Sequence, residues 1–108
     1  MSEPSTTNDW TGAETGEQWD LCLYVTDTTA RGQRAIENLR RACEEHLKGR
    51  YTIEVVDVLK NPRRAAADMI LAAPTVVRRF PAPIRKLVGD LSDADRLLMA
   101  LEIRRSGS

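Results

Sequence analysis

The sequence predicts an α/β domain with the element order βαβαββα. Three observations carry this reading. Residues 21–26 and 51–58 are short runs rich in apolar and β-branched side chains. A stretch with helical periodicity separates them, as a parallel β-α-β crossover requires. Finally, Ile70-Leu71-Ala72-Ala73-Pro74-Thr75-Val76-Val77 ends an apolar helix face, inserts a proline and restarts as a strand, opening a second half made of a hairpin and a terminal helix.

Leu21-Cys22-Leu23-Tyr24-Val25-Thr26 is bounded by Asp27 and reads as a buried strand, which makes Cys22 a strand residue rather than a nucleophile. Ile36, Leu39, Cys43 and Leu47 then recur at helical spacing with Ala35 and Ala42 alongside, while Arg34, Glu37, Arg40, Arg41, Glu44 and Glu45 fall largely elsewhere. That pattern makes 30–48 an amphipathic helix. Thr28 or Thr29 supplies its N-cap oxygen, and Gly49 stands where a left-handed residue is wanted. Residues 51–58 alternate before becoming continuously apolar, a strand with one partly exposed face at its start. Asn61-Pro62 offers an N-cap followed by proline at the first helical position, and the short helix there runs through Ala65, Ala66, Met69 and Ile70. A strand over 75–80 follows, Pro81-Ala82-Pro83 forces a turn, and 84–88 returns. Ser92 lies three residues before Asp95, a capping-box variant that opens a helix bearing Leu97, Leu98 and Leu101.

The chain of 108 residues has room for one small domain. Its net charge of zero is unevenly divided: residues 1–20 carry Glu3, Asp9, Glu14, Glu17 and Asp20 without a Lys or Arg, a charge of −5, so the remainder is +5. An acidic, Ser/Thr/Gly-rich stretch with two isolated tryptophans, Trp10 and Trp19, lacks the periodicity to build a core. The expected organisation is a disordered acidic tail at 1–19, a folded domain at 20–104 and a flexible terminus at 105–108. There is no apolar run of about 18 residues and no basic-then-apolar leader, so a cytoplasmic protein without a membrane segment is expected. The two cysteines fit neither a disulfide framework nor zinc-ligand spacing, and His46 is the only histidine. No metal and no cofactor are expected.

The element order together with Ala73-Pro74-Thr75 resembles the thioredoxin-like fold, with Pro74 as its cis-proline turn. Redox members carry Cys-x-x-Cys beside that turn, whereas this loop reads Thr26-Asp27-Thr28-Thr29-Ala30. The scaffold therefore comes without the thiol pair, which argues for a binding module. Leu23-Tyr24-Val25, Arg34-Ala35-Ile36-Glu37-Asn38-Leu39, Asp57-Val58-Leu59-Lys60-Asn61-Pro62, Ile70-Leu71-Ala72-Ala73-Pro74-Thr75, Pro81-Ala82-Pro83-Ile84-Arg85-Lys86 and Gly89-Asp90-Leu91-Ser92, in this order and spacing, resemble the KaiB family of circadian-clock proteins over about residues 21–103. The resemblance implies a non-enzymatic regulator that binds the N-terminal ATPase ring of a KaiC-type hexamer. It would modulate the phosphorylation or ATPase cycle in a circadian or hourglass timer or a stress response. It also implies a second fold of the same chain, βαββααβ, packed as a resting dimer or tetramer, with the thioredoxin-like monomer as the binding form. Asp27 and Thr29-Ala30 depart from the family's Gly and Thr-Pro, and the acidic tail is longer than its norm.

Lys60, Arg78, Arg85 and Lys86, with Arg79, form a basic set around the proline turn and hairpin. Few aromatics interleave with them, so nucleic acid is not the expected partner. A solvated charged face and an acidic protein surface remain the two readings, and the resemblance places Arg78 at the partner-facing surface. Through the same resemblance Gly89 and Asp90 are the fold-switch hinge; read from the residues, they are a turn before a capped helix. Tyr24 is expected in the core with its hydroxyl bonded, although the resemblance leaves an oligomer contact open. Cys43 is core, and Asp57 is structural, having no thiol to deprotonate. Glu54 is acidic where the family often has a basic residue, which tells against a KaiA-like partner. Two other functions stand beside this one: a thioredoxin-like binding module or sensor domain with a different partner, and, disfavoured by the missing thiol pair, a thiol–disulfide oxidoreductase.

Overall fold

The computed structural model describes residues 18–26 and 29–104. Residues 1–17 of the tail expected over 1–19, Asp27 and Thr28 of the first loop, and the terminus at 105–108 lie outside the described residues. The elements are β1 (Trp19–Val25), α1 (Ala30–His46), β2 (Tyr51–Asp57), α2 (Pro62–Ala67), β3 (Thr75–Phe80), β4 (Arg85–Val88) and α3 (Ala94–Leu101). They form one sheet in the order β2-β1-β3-β4. β1 pairs parallel with β2, which the α1 crossover permits, and antiparallel with β3; β3 and β4 form the hairpin.

Alternation along β1 divides the interior. Trp19, Leu21, Leu23 and Val25 face the larger core with Ala35, Leu39 and Cys43 of α1, Val76 of β3, and Leu97, Leu98 and Leu101 of α3. Cys22 and Tyr24 face the other side, where Val56, Ala65 and Val77 complete a smaller cluster under α2. α1 is helical because its apolar residues recur every three or four positions, and its N-terminus is capped by Thr29, whose Oγ1 accepts from Gly32 N at 3.1 Å. Gly49 has φ 76°, the left-handed conformation expected after this helix.

Four expectations need correction. Trp19 belongs to the domain rather than the tail: it opens β1, pairs with Tyr51 and is buried. A single aromatic between polar residues carries no periodic signal; its burial is decided by the strand opposite. Asn61 occupies the N-cap position of α2 without a side-chain cap, because its amide instead donates to the Asp57 carbonyl at 3.1 Å. α2 stops at Ala67 instead of continuing to Ile70, since Met69 turns left-handed at φ 56° and points its side chain outward. The cap of α3 is Asp93, which accepts from Arg96 N at 3.1 Å, while the Ser92 amide is held by Asp90 Oδ1.

Arg78 is the most consequential change. The expectation put it on a partner-facing surface, yet it is 2% exposed. Its Nη1 donates to the Leu101 carbonyl and its Nη2 to the Pro83 carbonyl, each at 2.6 Å. The guanidinium also lies 5.4 Å from the centroid of the Trp19 ring and 3.7 Å from Glu102. Five donors in a planar fork suit it to tie the end of α3 to the proline turn, a task an ammonium would do poorly. In this fold it is a structural residue. Arg78→Ala should therefore lower the unfolding free energy by about 2–5 kcal/mol, from the stranded carbonyls and the lost packing; urea unfolding checks this, and a change below about 0.5 kcal/mol would show that the buried guanidinium is dispensable.

Candidate functional site

The cis-proline turn organises one end of the sheet. Ala73–Pro74 is cis and Pro74 is buried. Its carbonyl accepts from Gly89 N at 2.9 Å, joining the turn to the end of β4. Gly89 sits at φ 130°, a conformation L side chains rarely adopt. Asp90 is fixed from three sides: its carbonyl accepts from Asn38 Nδ2 at 2.8 Å, its carboxylate lies 3.7 Å from Arg34, and Oδ1 accepts from Ser92 N. The hydrogen bonds from Ser92 hold the Asp90 carboxyl below the ordinary range. Gly89 and Asp90 form here a tight turn before a capped helix.

The predicted basic set does not form one patch. Lys60 is exposed in the turn ahead of α2, and Lys86 is exposed on the α2 side, its ammonium reaching the Asp68 carbonyl. Arg85 lies on the opposite side of the hairpin, where it bonds Glu102 at 3.0 Å. Arg78 is inside. Strand alternation separates Arg78 from Arg79.

Arg79 belongs to a polar network that sequence reading missed. The Tyr24 hydroxyl donates to Asp68 Oδ2 at 2.5 Å, and Arg79 Nη2 donates to the same carboxylate oxygen at 2.7 Å and to the Tyr24 oxygen at 3.0 Å. β1, β3 and the segment leaving α2 are thereby pinned at one point. Burial pushes the Tyr24 hydroxyl up, and its bond to Asp68 adds to this. Burial also raises the Asp68 carboxyl, but the Tyr24 bond and the bond and charge of Arg79 outweigh it, leaving Asp68 below the ordinary range. Beside the network, Arg64 binds Glu54 through two bonds of 2.5 and 2.7 Å, and that pairing holds the Glu54 carboxyl down.

With Asp68 held inward, the flanking segments turn outward. Leu59, Met69 and Leu71 are 67%, 72% and 96% exposed. They lie in the loops before and after α2, with the exposed cations Lys60 just ahead of the helix and Arg63 in its first turn. Exposed large apolar side chains on both sides of a short helix, with cations at its start, have the composition of a docking surface. Neither cysteine is an activated nucleophile: Cys22 and Cys43 are buried in different clusters. Burial raises the Cys22 thiol and pushes that of Cys43 up to about 12, far from a reactive thiolate. Among the described residues no three His, Cys, Asp or Glu side chains gather as a metal site, and no helix is long and apolar enough to cross a membrane.

Residues 22–103 match the family model described as the KaiB domain. The circadian clock protein KaiB3 of Synechocystis sp. is 38% identical over 87 residues, 81% of this chain and 85% of that protein. The circadian clock oscillator protein KaiB of Prochlorococcus marinus is 46% identical over 83 residues, 77% of this chain and 70% of its own. Among solved structures, the N-terminal domain of Synechococcus elongatus SasA superposes with a TM-score of 0.66 at 17% identity, covering 86% of this chain and 90% of that one. Mitochondrial thioredoxin 3 of Saccharomyces cerevisiae gives 0.64 at 12%, covering 89% and 88%. The fold is thioredoxin-like.

A carboxyl lowered by folding contributes stability that is fully present above its unfolded pKa, about 3.9, and is lost as pH falls through the folded value. Asp68→Asn should thus cost about 1–3 kcal/mol at pH 7 through its weakened bonds to Tyr24 and Arg79. Urea unfolding between pH 7 and 2.5 should show the difference from the parent chain shrinking below about pH 4. A difference independent of pH would remove the ionised network.

Proposed function

Because this chain belongs to the KaiB family, we propose that it is a circadian-clock regulator without catalytic machinery, docking as a thioredoxin-like monomer on the N-terminal ATPase ring of a KaiC-type hexamer. By docking it alters the phosphorylation or ATP turnover of that ring. The timer it serves is an oscillator, an hourglass or a stress-linked version of either. The observation that carries this reading is the exposed surface around α2, where Leu59, Met69 and Leu71 stand out from the flanking loops and Lys60 and Arg63 are exposed at the start of the helix. Three large exposed apolar side chains would each gain roughly 1.5–3 kcal/mol on full burial, enough to anchor a partner once orientation costs are met. Cations at the edge favour an acidic partner surface and speed encounter. The buried thiols support a binding role over a redox one.

The resting homo-oligomer and the alternative βαββααβ packing belong to the same proposal, with Gly89 and Asp90 as the hinge. If a minor conformer must form before docking, association is slow and its apparent affinity falls by the fraction of competent molecules.

Of the four predicted basic residues, Lys60 and Lys86 remain candidates for partner contact and Arg85 lies on the far side of the hairpin. Leu71→Asp should weaken association with a KaiC-type hexamer in ATP at least tenfold, and Lys60→Glu about three- to tenfold with a smaller salt dependence. Both should leave the circular dichroism spectrum unchanged, since both side chains are exposed. Interferometry after long incubation measures this; parental affinity in both variants would move the docking face elsewhere.

A further inference from the structure

We propose that Met69 is a redox modification site: a hydroperoxide converts its thioether to the sulfoxide, and the change weakens docking. The inference rests on the docking surface around α2 proposed above. The sulfur atoms of the chain divide by access. Both thiols are inside, Cys22 in the cluster under α2 and Cys43 in the larger core, and burial raises both. A thiol must ionise and be reached before a peroxide oxidises it, so neither serves. A thioether has no proton to lose and needs only access. The two methionines among the described residues have it, Met69 being 72% and Met99 78% exposed. They lie on opposite sides of the sheet: Met69 follows α2, which covers the smaller cluster, whereas Met99 belongs to α3, which covers the larger core.

Met69 stands in a segment bonded on both sides. Asp68 is tied to Tyr24 and Arg79, the Met69 amide donates to the Ala66 carbonyl at 3.0 Å, and the Ile70 amide donates to the Ala65 carbonyl at 2.9 Å. The Ile70 side chain packs on the smaller cluster, while Met69, at φ 56°, carries its thioether into solvent between Leu59 and Leu71 in the chain. The step is a two-electron oxidation. A lone pair on Sδ attacks one peroxide oxygen, the S–O bond forms as the O–O bond breaks, and the departing hydroxide takes the proton left on the transferred oxygen, giving sulfoxide and water. Sulfur is oxidised and the hydroperoxide reduced. The product turns an apolar side chain into a polar one whose oxygen an apolar contact leaves unsatisfied, so it no longer anchors a partner. A methionine sulfoxide reductase with a thiol donor reverses the change.

The test treats the full chain with hydrogen peroxide and removes the oxidant with catalase before a KaiC-type hexamer and ATP are added. Mass spectrometry should show Met69 and Met99 gaining one oxygen at rates within about threefold of a blocked methionine, with Cys22 and Cys43 unmodified. The oxidised chain should bind the hexamer at least about fivefold more weakly than the untreated chain, and sulfoxide reductase should restore the affinity. Met69→Leu, which keeps Met1 and Met99, should stay within about twofold of its own untreated affinity, whereas Met99→Leu should lose as much as the parent. Slow oxidation of Met69, or a loss on treatment that persists in Met69→Leu, overturns the proposal. So does an unchanged affinity of the oxidised parent when untreated Leu71→Asp binds weakly. Parental affinity of untreated Leu71→Asp is the separate result that moves the docking surface elsewhere, and this proposal falls with it.

Discussion

β1 shares its backbone hydrogen bonds between a parallel neighbour and an antiparallel one, and both of its faces are covered. Every residue of Trp19–Val25 except Asp20 is buried. Such a strand has no solvent face to spare, so each side must find its own cover: α1 and α3 over Leu21 and Leu23, α2 over Cys22 and Tyr24. A one-residue slip would exchange those two sets, moving a phenol into the larger core and leucines under a short helix. The strand order and the crossover both follow from satisfying this element, and its covers are unequal in size.

That inequality shapes the surface. Two helices and fifteen buried residues close one side, whereas a six-residue helix and five buried residues close the other. The smaller side compensates with polar bonds. A buried tyrosine hydroxyl needs a partner, and Asp68 and Arg79 provide one while binding each other. This fixes the chain after α2 and leaves Met69 and Leu71 on the outside. Arg78 acts similarly on the larger side by satisfying two carbonyls at the end of α3 and in the proline turn. Asp68, which holds the fold, and Met69, which is exposed beside it, are thus neighbours in sequence with opposite orientations.

Much of the fold was legible because strand and helix periods are local signals. Leu23-Tyr24-Val25, the α1 stripe through Leu39 and Cys43, and the return after Pro74 all carry them. The core role of Tyr24 and Cys43 followed from the same alternation. What was not legible depends on distant groups. Nothing near Arg78 in sequence announces the Leu101 and Pro83 carbonyls that draw a cation inside. Asp68 is one carboxylate among many until Tyr24 and Arg79 converge on it, and Trp19 is ordered by Tyr51 and Arg78 rather than by its neighbours. Ser92 and Asp93 are both good caps; the choice between them rests on the Ser92 amide being taken by Asp90.

Membership of the KaiB family and a thioredoxin-like arrangement together make the pairing of β1 with β3 the central structural claim, since the second half of the chain takes its place through that contact. The most direct measurement is a set of nuclear Overhauser contacts across the pair in the free protein. The account predicts antiparallel contacts that link Cys22 with Val77 and Leu23 with Val76, and side-chain contacts between Tyr24 and Arg79. Absence of these contacts, with residues 75–80 paired elsewhere or helical, would contradict it.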